Sequence, residues 1–203
     1  MRLYYAPGAC SLAPHIVLRD TQLSFGLVKV DLAAHRTEDG TDYYAVNSKG
    51  GVPVLELDNG DRLTEGPIIA QYVADRAGRE DLMPKAGSIQ RYHVQEWQNY
   101  ITSELHKSFS PLFNSAFDAA AKTVQRAALR KKYQWVSSEL MARPFIAGNA
   151  FSAADAYLFT VTRWSGHVQL DLSDLDPLQD YLNRISLRPA VQLAMRAEGL
   201  IRA

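Results

Sequence analysis

Every convincing strand signal in the chain lies before residue 65, and from Ser88 onward the apolar periodicity is helical. A chain segregated in this way has to layer helices on a small sheet at one end and bundle helices at the other. A sheet face and a helix stripe each need a partner to be buried. At the start, "RLYYA" is a β-rich run ended by Pro7-Gly8. Helical spacing follows from Ser11 to about Gln22, with Pro14 early enough in the first turn to be tolerated. "FGLVKVDL" supplies a second strand, and the strand–helix–strand order favours a right-handed parallel crossover. The polar stretch "AAHRTEDGTDYYAVNSKGG" reads as too mixed for a core element. Asp58-Asn59-Gly60 between two short β-type runs predicts a hairpin. Gly66-Pro67 then opens a helix that stops at Gly78. The predicted order is βαβ then ββα around one mixed sheet.

The second part reads as all α. Ile89, Tyr92, Trp97, Tyr100, Ile101, Leu105 and Phe109 keep helical spacing along one long helix that Pro111 kinks or ends. Another helix is predicted from about Asp118 to Met141, and shorter ones over 177–186 and 190–198. Ser152 followed by Asp155 has the spacing of a capping box, with Phe151 placed to staple onto the helix body. The connector "AGREDLMPKAG" sets the boundary near residue 80, between an α/β domain at 1–80 and an all-helical domain at 88–203.

Charge and cysteine usage narrow the function classes. Lys plus Arg equals Asp plus Glu at 22 each, so no global field draws nucleic acid or an anionic membrane. One cysteine excludes an internal disulfide framework and a cysteine-rich zinc site, and fits a reducing compartment. The start reads as neither signal peptide nor anchor, and no stretch approaches the roughly 20 apolar residues of a spanning helix. The expectation is a soluble cytoplasmic protein without a metal, a nucleic-acid partner or a membrane partner.

Three short features carry candidate chemistry. Cys10 follows a strand and begins a helix, where backbone N–H groups and the macrodipole favour a thiolate; a small buried hydrophobe is the competing reading. A dithiol site would place a second cysteine at position 13, where Ala13 stands, so a partner thiol would come from outside. Val52-Pro53 suits a cis-proline whose preceding backbone pairs with an extended peptide, or an ordinary trans-proline at a strand edge. Glu65-Gly66 combines an acceptor for an ammonium group with helix N–H donors for a carboxylate, or simply caps the helix. Together they describe a γ-linked thiol peptide.

On the stretches "LYYAPGACSLAPHI", "GGVPVLELDNGDRLTEGPIIAQYVAD", "EWQNYITSELHKSFSPLF" and "FSAADAYLFTVTRW", the chain resembles the cytosolic glutathione transferases, most of all the bacterial beta class. The resemblance implies a thioredoxin-like first domain that binds glutathione, a helical second domain for the electrophile, and a homodimer. It implies conjugation of the glutathione thiolate to an apolar electrophile, in detoxification. The alternatives are a thiol–disulfide oxidoreductase, peroxidase or reductive dehalogenase with Cys10 as nucleophile, or a non-catalytic binder of apolar ligands. By the same resemblance Cys10 lies beside the glutathione sulfur, assisted by Ser11 and His106. Val52 and Pro53 present the backbone, and Glu65 with Gly66 binds the γ-glutamyl end. Asn99, Ser103, Glu104, His106 and Lys107 line the site, some reaching the neighbouring subunit's glutathione. Two positions depart from the pattern: His35 stands where a lysine is usual, and Gly51 where a larger residue is common, which weakens the glycyl end. His106, on a helical face with Asn99, Ser103 and Lys107, can donate to a thiolate or act as base. Phe109, Phe113, Trp164 and His167 are candidates for the electrophile pocket, with bundle core as the competing reading.

Overall fold

The computed structural model describes residues 1–202, and the chain divides into two units. Met1–Met83 together with the segment from Leu187 onward forms one, and Pro84–Ser186 the other.

In the first unit, β1 (Arg2–Tyr5), β2 (Gly26–Asp31), β3 (Arg36–Thr37), β4 (Val54–Glu56) and β5 (Arg62–Thr64) form one sheet in the order β3-β2-β1-β4-β5. β1 runs parallel to β2, with Leu3 opposite Leu27, and antiparallel to β4, with Leu3 opposite Leu55. The crossover between the parallel strands is α1 (Leu12–Thr21). Central strands covered on both faces read as unbroken apolar runs, which is why "LYY" shows no alternation and all three residues are buried. The same logic applies to α1, whose residues from Leu12 to Leu18 are all buried. α2 (Gly66–Arg76) packs beside it, with Pro67 in its first turn and Ile69, Ala70, Val73 and Ala74 inward. The hairpin turns at Asp58-Asn59-Gly60, where Gly60 takes a φ of 89°.

Two expectations change. The polar stretch after β2 is part of the core: Tyr43 is fully buried and packs with Tyr4, Val30 and Val54 on the sheet. Its single aromatic anchor among polar neighbours leaves no periodic signal to read. The last helix, α8 (Pro189–Ala197), was expected in the helical domain, yet it packs on α1 in the sheet-bearing unit. Asp20 at the end of α1 binds Arg79 at 3.1 Å and Arg188 at 3.0 Å, fastening the returning segment.

The helical unit contains α3 (Ile89–Tyr100), α4 (Lys107–Phe113), α5 (Ala119–Leu140), α6 (Ala153–Thr162) and α7 (Asp176–Ser186). All ten residues of α6 are buried, so it is the axis of the bundle. Its start is held by Asp155, whose carboxylate accepts from Ser152 N and Oγ and from Ile146 N, each at 2.8 Å, and from Tyr181 Oη at 3.0 Å. Burial pushes that carboxyl up against the pull of these donors. The long predicted helix is not continuous. A π-helical turn over Ile101–His106 separates α3 from α4, and Pro111 lies inside α4 without ending it.

Candidate functional site

The loop that delivers Cys10 is fixed by short-range bonds. Ala9 N donates to Ala6 O at 3.1 Å, and Gly8 turns the chain with a φ of 72°. Ser11 Oγ accepts from Ala6 N and donates to Ala6 O, both at 3.2 Å, and its side chain is fully buried. Ser11 therefore clasps the loop, its hydroxyl engaged with both main-chain groups of Ala6.

Cys10 Sγ donates to the carbonyl of Val52 at 3.1 Å, across a cis Val52–Pro53 bond. An acceptor opposite the sulfur favours the protonated form. Burial has the larger effect and pushes the thiol up to about 11, against the lowering by the N–H groups of Cys10 and Ser11. The thiolate expected at the helix start is thus not the resting state of the chain, because desolvation outweighs the helix-end dipoles.

The other residues of this cluster converge on the same spot. A Cβ on Gly66 would lie 3.8 Å from Pro53 Cγ, 3.8 Å from Pro14 Cδ and 4.0 Å from Cys10 O, so Cys10, Pro53 and Gly66 are neighbours. Glu65 precedes Gly66 with a φ of 66°, a left-handed conformation uncommon for a side-chain-bearing residue. Its carboxylate binds Lys49 Nζ at 2.5 Å. The Gly51 carbonyl accepts from Tyr43 Oη at 2.9 Å and Asn47 Nδ2 at 2.6 Å, which fixes the peptide leading into Val52. Sequence reasoning missed Tyr43, Asn47 and Lys49. The run Asn47-Ser48-Lys49-Gly50-Gly51 is turn-like, but nothing local says which carbonyl its side chain holds. His35 has a φ of 51°, meets the Tyr44 ring at 4.5 Å in a tilted arrangement and leaves Nδ1 buried without a hydrogen-bond partner. Gly51 has open space around it, whereas a Cβ on Gly50 would come within 2.7 Å of Tyr44.

In the helical unit the π turn is bordered by side chains that bond back to the backbone. Thr102 Oγ1 donates to Gln98 O at 2.8 Å, Ser103 Oγ to Asn99 O at 3.1 Å, and Ser108 Oγ to Glu104 O at 2.6 Å. Glu104 pairs with Lys132 at 2.8 Å, which holds its carboxyl below the usual range. Asn99, Ser103 and Lys107 are exposed. His106 is half-buried, with Nδ1 2.6 Å from Tyr157 Oη and its ring 4.8 Å from Trp164. Phe109 meets Trp164 edge-on at 5.5 Å, and Phe113 meets Trp164 at 6.1 Å. Four predicted residues, His106, Phe109, Phe113 and Trp164, thus form one aromatic cluster. His167 is exposed and joins none of its ring contacts. Tyr157 was not anticipated, because a tyrosine in an all-buried helix reads as core.

Among the described residues no group of acidic, histidine or cysteine side chains has metal-holding geometry, and no helix is long and apolar enough to cross a membrane.

Comparison with known proteins gives this geometry a lineage. The chain matches the family model of the glutathione S-transferase N-terminal domain over residues 1–75, and that of the C-terminal domain over residues 100–189. It is 50% identical over 200 residues to the glutathione S-transferase GstA of Escherichia coli O157:H7, covering 98% of this chain and 100% of that one. A sphingomonad glutathione S-transferase complexed with glutathione is 44% identical, with a TM-score of 0.95 and coverage of 99% and 100%. The bacterial beta class glutathione S-transferase of Sphingomonas chungbukensis is 43% identical, with the same TM-score and coverage. With both domains matched and the likeness running from end to end, the chain belongs to the glutathione S-transferase family, in its bacterial beta class.

Proposed function

We propose that the protein transfers glutathione to apolar electrophiles as a cytoplasmic homodimer with a detoxifying role, and that it needs no metal. The observation that carries this reading is the convergence of Cys10, the cis Val52–Pro53 peptide and the Glu65–Gly66 helix start at one end of the sheet. The glutathione-bound sphingomonad relative, 44% identical over nearly its whole length, supports the choice of thiol.

The chemistry is nucleophilic substitution or addition. The glutathione sulfur gives an electron pair to the electrophilic carbon, and an S–C bond forms. A halide leaves with its bonding pair; an epoxide C–O bond opens instead, with the oxygen taking up a proton. Val52, Pro53, Glu65 and Gly66 hold the peptide, with Asn99, Ser103, Glu104 and Lys107 as further contacts. His106 acts as hydrogen-bond donor or base, and Phe109, Phe113 and Trp164 receive the apolar group.

In this mechanism Cys10 assists rather than attacks. A thiol held protonated by burial and by the Val52 carbonyl donates to a neighbouring sulfur anion but is a poor nucleophile. A route with Cys10 as attacking group needs the thiolate that this environment disfavours. The test is steady-state turnover of wild type and Cys10→Ala with glutathione against a panel of aryl halides, epoxides and activated alkenes. Cys10→Ala is expected to keep conjugating. Complete loss of conjugation with glutathione binding intact would assign Cys10 the attacking role.

A further inference from the structure

The π turn over Ile101–His106 leaves the α-helical ladder inside the bundle: Lys107 N donates to Thr102 O, five residues back. Such a turn holds more residues than an α-helical one. Shedding the extra residue would swing the side chains there by about 100°, one residue's step around the axis. His106 is the last residue of the turn, with Nδ1 2.6 Å from Tyr157 Oη on α6. Whether the imidazole meets Tyr157 therefore depends on what keeps the turn wide.

The fastening comes from α5. Lys132 Nζ lies 3.0 Å from Glu104 O, 2.8 Å from Glu104 Oε2 and 3.1 Å from Ser108 Oγ. An ammonium has three protons to give, and each has an acceptor on a residue two before or two after His106. Ser108 Oγ donates in turn to Glu104 O at 2.6 Å, and Gln125 Nε2, also from α5, donates to Ser108 O at 2.8 Å. The Lys132–Glu104 ion pair is partly exposed and by itself adds little to stability. The bonds to the Glu104 carbonyl and the Ser108 hydroxyl have a different effect. They bring a charged donor to the helix where its ladder changes step, and tie the two sides of His106 to one atom of α5.

We infer that Lys132 is a positioning residue for His106: it bridges Glu104 and Ser108, holds the π turn between them, and so keeps the imidazole against Tyr157. Lys132 acts through the turn and not on the reacting sulfur. The inference rests on the part given to His106 in the proposed function.

The test is a double-mutant cycle on the full-length protein. It reads kcat for conjugation of glutathione to an aryl halide, with both substrates saturating. His106→Phe, which keeps a ring against Trp164, should lower kcat about tenfold or more. Lys132→Met keeps the apolar stem and removes the donors, and should lower kcat about tenfold. Lys132→Arg should stay within about threefold of wild type, since it restores charged donors. Ser108→Ala, a milder variant that removes one of the three acceptors, should lose about twofold. In the His106→Phe background Lys132→Met should cost nothing further, because no imidazole is left to position. A general loosening of the fold would instead lower kcat by the same factor in both backgrounds.

Two results would overturn the inference: Lys132→Met turning over as fast as wild type, or slowing the His106→Phe protein as much as it slows wild type. In the first case the packing of Ile101 and Leu105, both fully buried, holds the turn unaided. If Lys132→Met does not fold, Ser108→Ala takes its place in the cycle with the same criteria. Wild type that conjugates nothing would overturn the proposed function, and His106→Phe at wild-type kcat would remove His106 from it. A slow His106→Phe beside a fully active Lys132→Met overturns this assignment alone.

Discussion

The thiol of Cys10 donates to the main-chain carbonyl of Val52 over 3.1 Å, so the only cysteine in the chain is tied to the residue that precedes the cis-proline. The bond joins two segments 42 residues apart in sequence. It also sets the chemical state of the sulfur, because a carbonyl can accept from a thiol but has nothing to offer a thiolate. Two features that point to a ligand separately are therefore partners of each other until a ligand arrives.

The first consequence concerns pH. Burial raises the Cys10 thiol from an ordinary value of 9 to about 11 in the folded chain. An acid raised on folding contributes stability that is fully present below the unfolded value and is lost as pH rises through the folded one. Stability should therefore fall between about pH 9 and 11, and Cys10→Ala should lack this component. Alkylation of the ligand-free protein by iodoacetamide should be slow at pH 7, where the thiolate fraction is on the order of 10⁻⁴, and climb with a midpoint near 11. A midpoint at or below 8.5 would mean that the helix-end dipoles win after all.

A second prediction follows from a buried chain of hydrogen bonds between α1 and the end of α8. Arg19 Nε donates to His15 Nε2 at 3.2 Å, His15 Nδ1 lies 2.8 Å from Glu198 Oε1, and Gly8 N donates to Glu198 Oε2 at 2.9 Å. Arginine has only N–H groups to give, so Nε2 accepts and the His15 proton sits on Nδ1. Both carboxylate oxygens must then accept. A glutamine can satisfy only one of these donors and turns its own N–H₂ against the other. Glu198→Gln should cost about 2–4 kcal/mol in urea denaturation despite its near-identical shape. A change under about 1 kcal/mol would show that the network tolerates a reversed donor.

These contacts also show where the sequence stops being legible. The Asp58-Asn59-Gly60 turn, Pro67 and the Ser152–Asp155 box are local and legible, because each acts within a few residues. The cis peptide at Val52–Pro53 is not legible in this way, because a proline at that position fits an ordinary trans bond at a strand edge as well. Nor is the docking of α8, since nothing in "PAVQLAMRAEGL" names α1 as its partner. The raised Cys10 thiol is not legible, because helix-start position is visible in the sequence while burial is a property of the assembled fold. Lys49 was overlooked because its partner Glu65 lies 16 residues away and comes beside it only through the hairpin.

Asp155 gives a third prediction, in the helical unit. Its carboxylate is the common acceptor for two backbone N–H groups and two hydroxyls, all buried at the start of α6. Asp155→Ala leaves those donors without an acceptor in the middle of the bundle. The expected loss is about 3–5 kcal/mol, read as a lowered midpoint in guanidinium at unchanged slope. If the midpoint hardly moves, α6 is held by packing alone and the box is incidental.

The aromatic cluster allows a separation of stability from substrate recognition. Phe109 is 1% exposed and Phe113 is 54% exposed, although both rings meet Trp164. Phe109→Ala removes a filled core position and should cost about 3–5 kcal/mol whatever the ring does for a substrate. Phe113→Ala leaves no cavity, so its stability should stay within about 1 kcal/mol of wild type. If Phe113 takes the electrophile, its alanine variant should raise KM for an aryl halide about three- to tenfold, the worth of one aromatic contact. KM for glutathione should stay where it was. A variant whose KM values for both substrates match wild type would return Phe113 to the exposed surface and leave Trp164 and His106 as the remaining candidates for that contact.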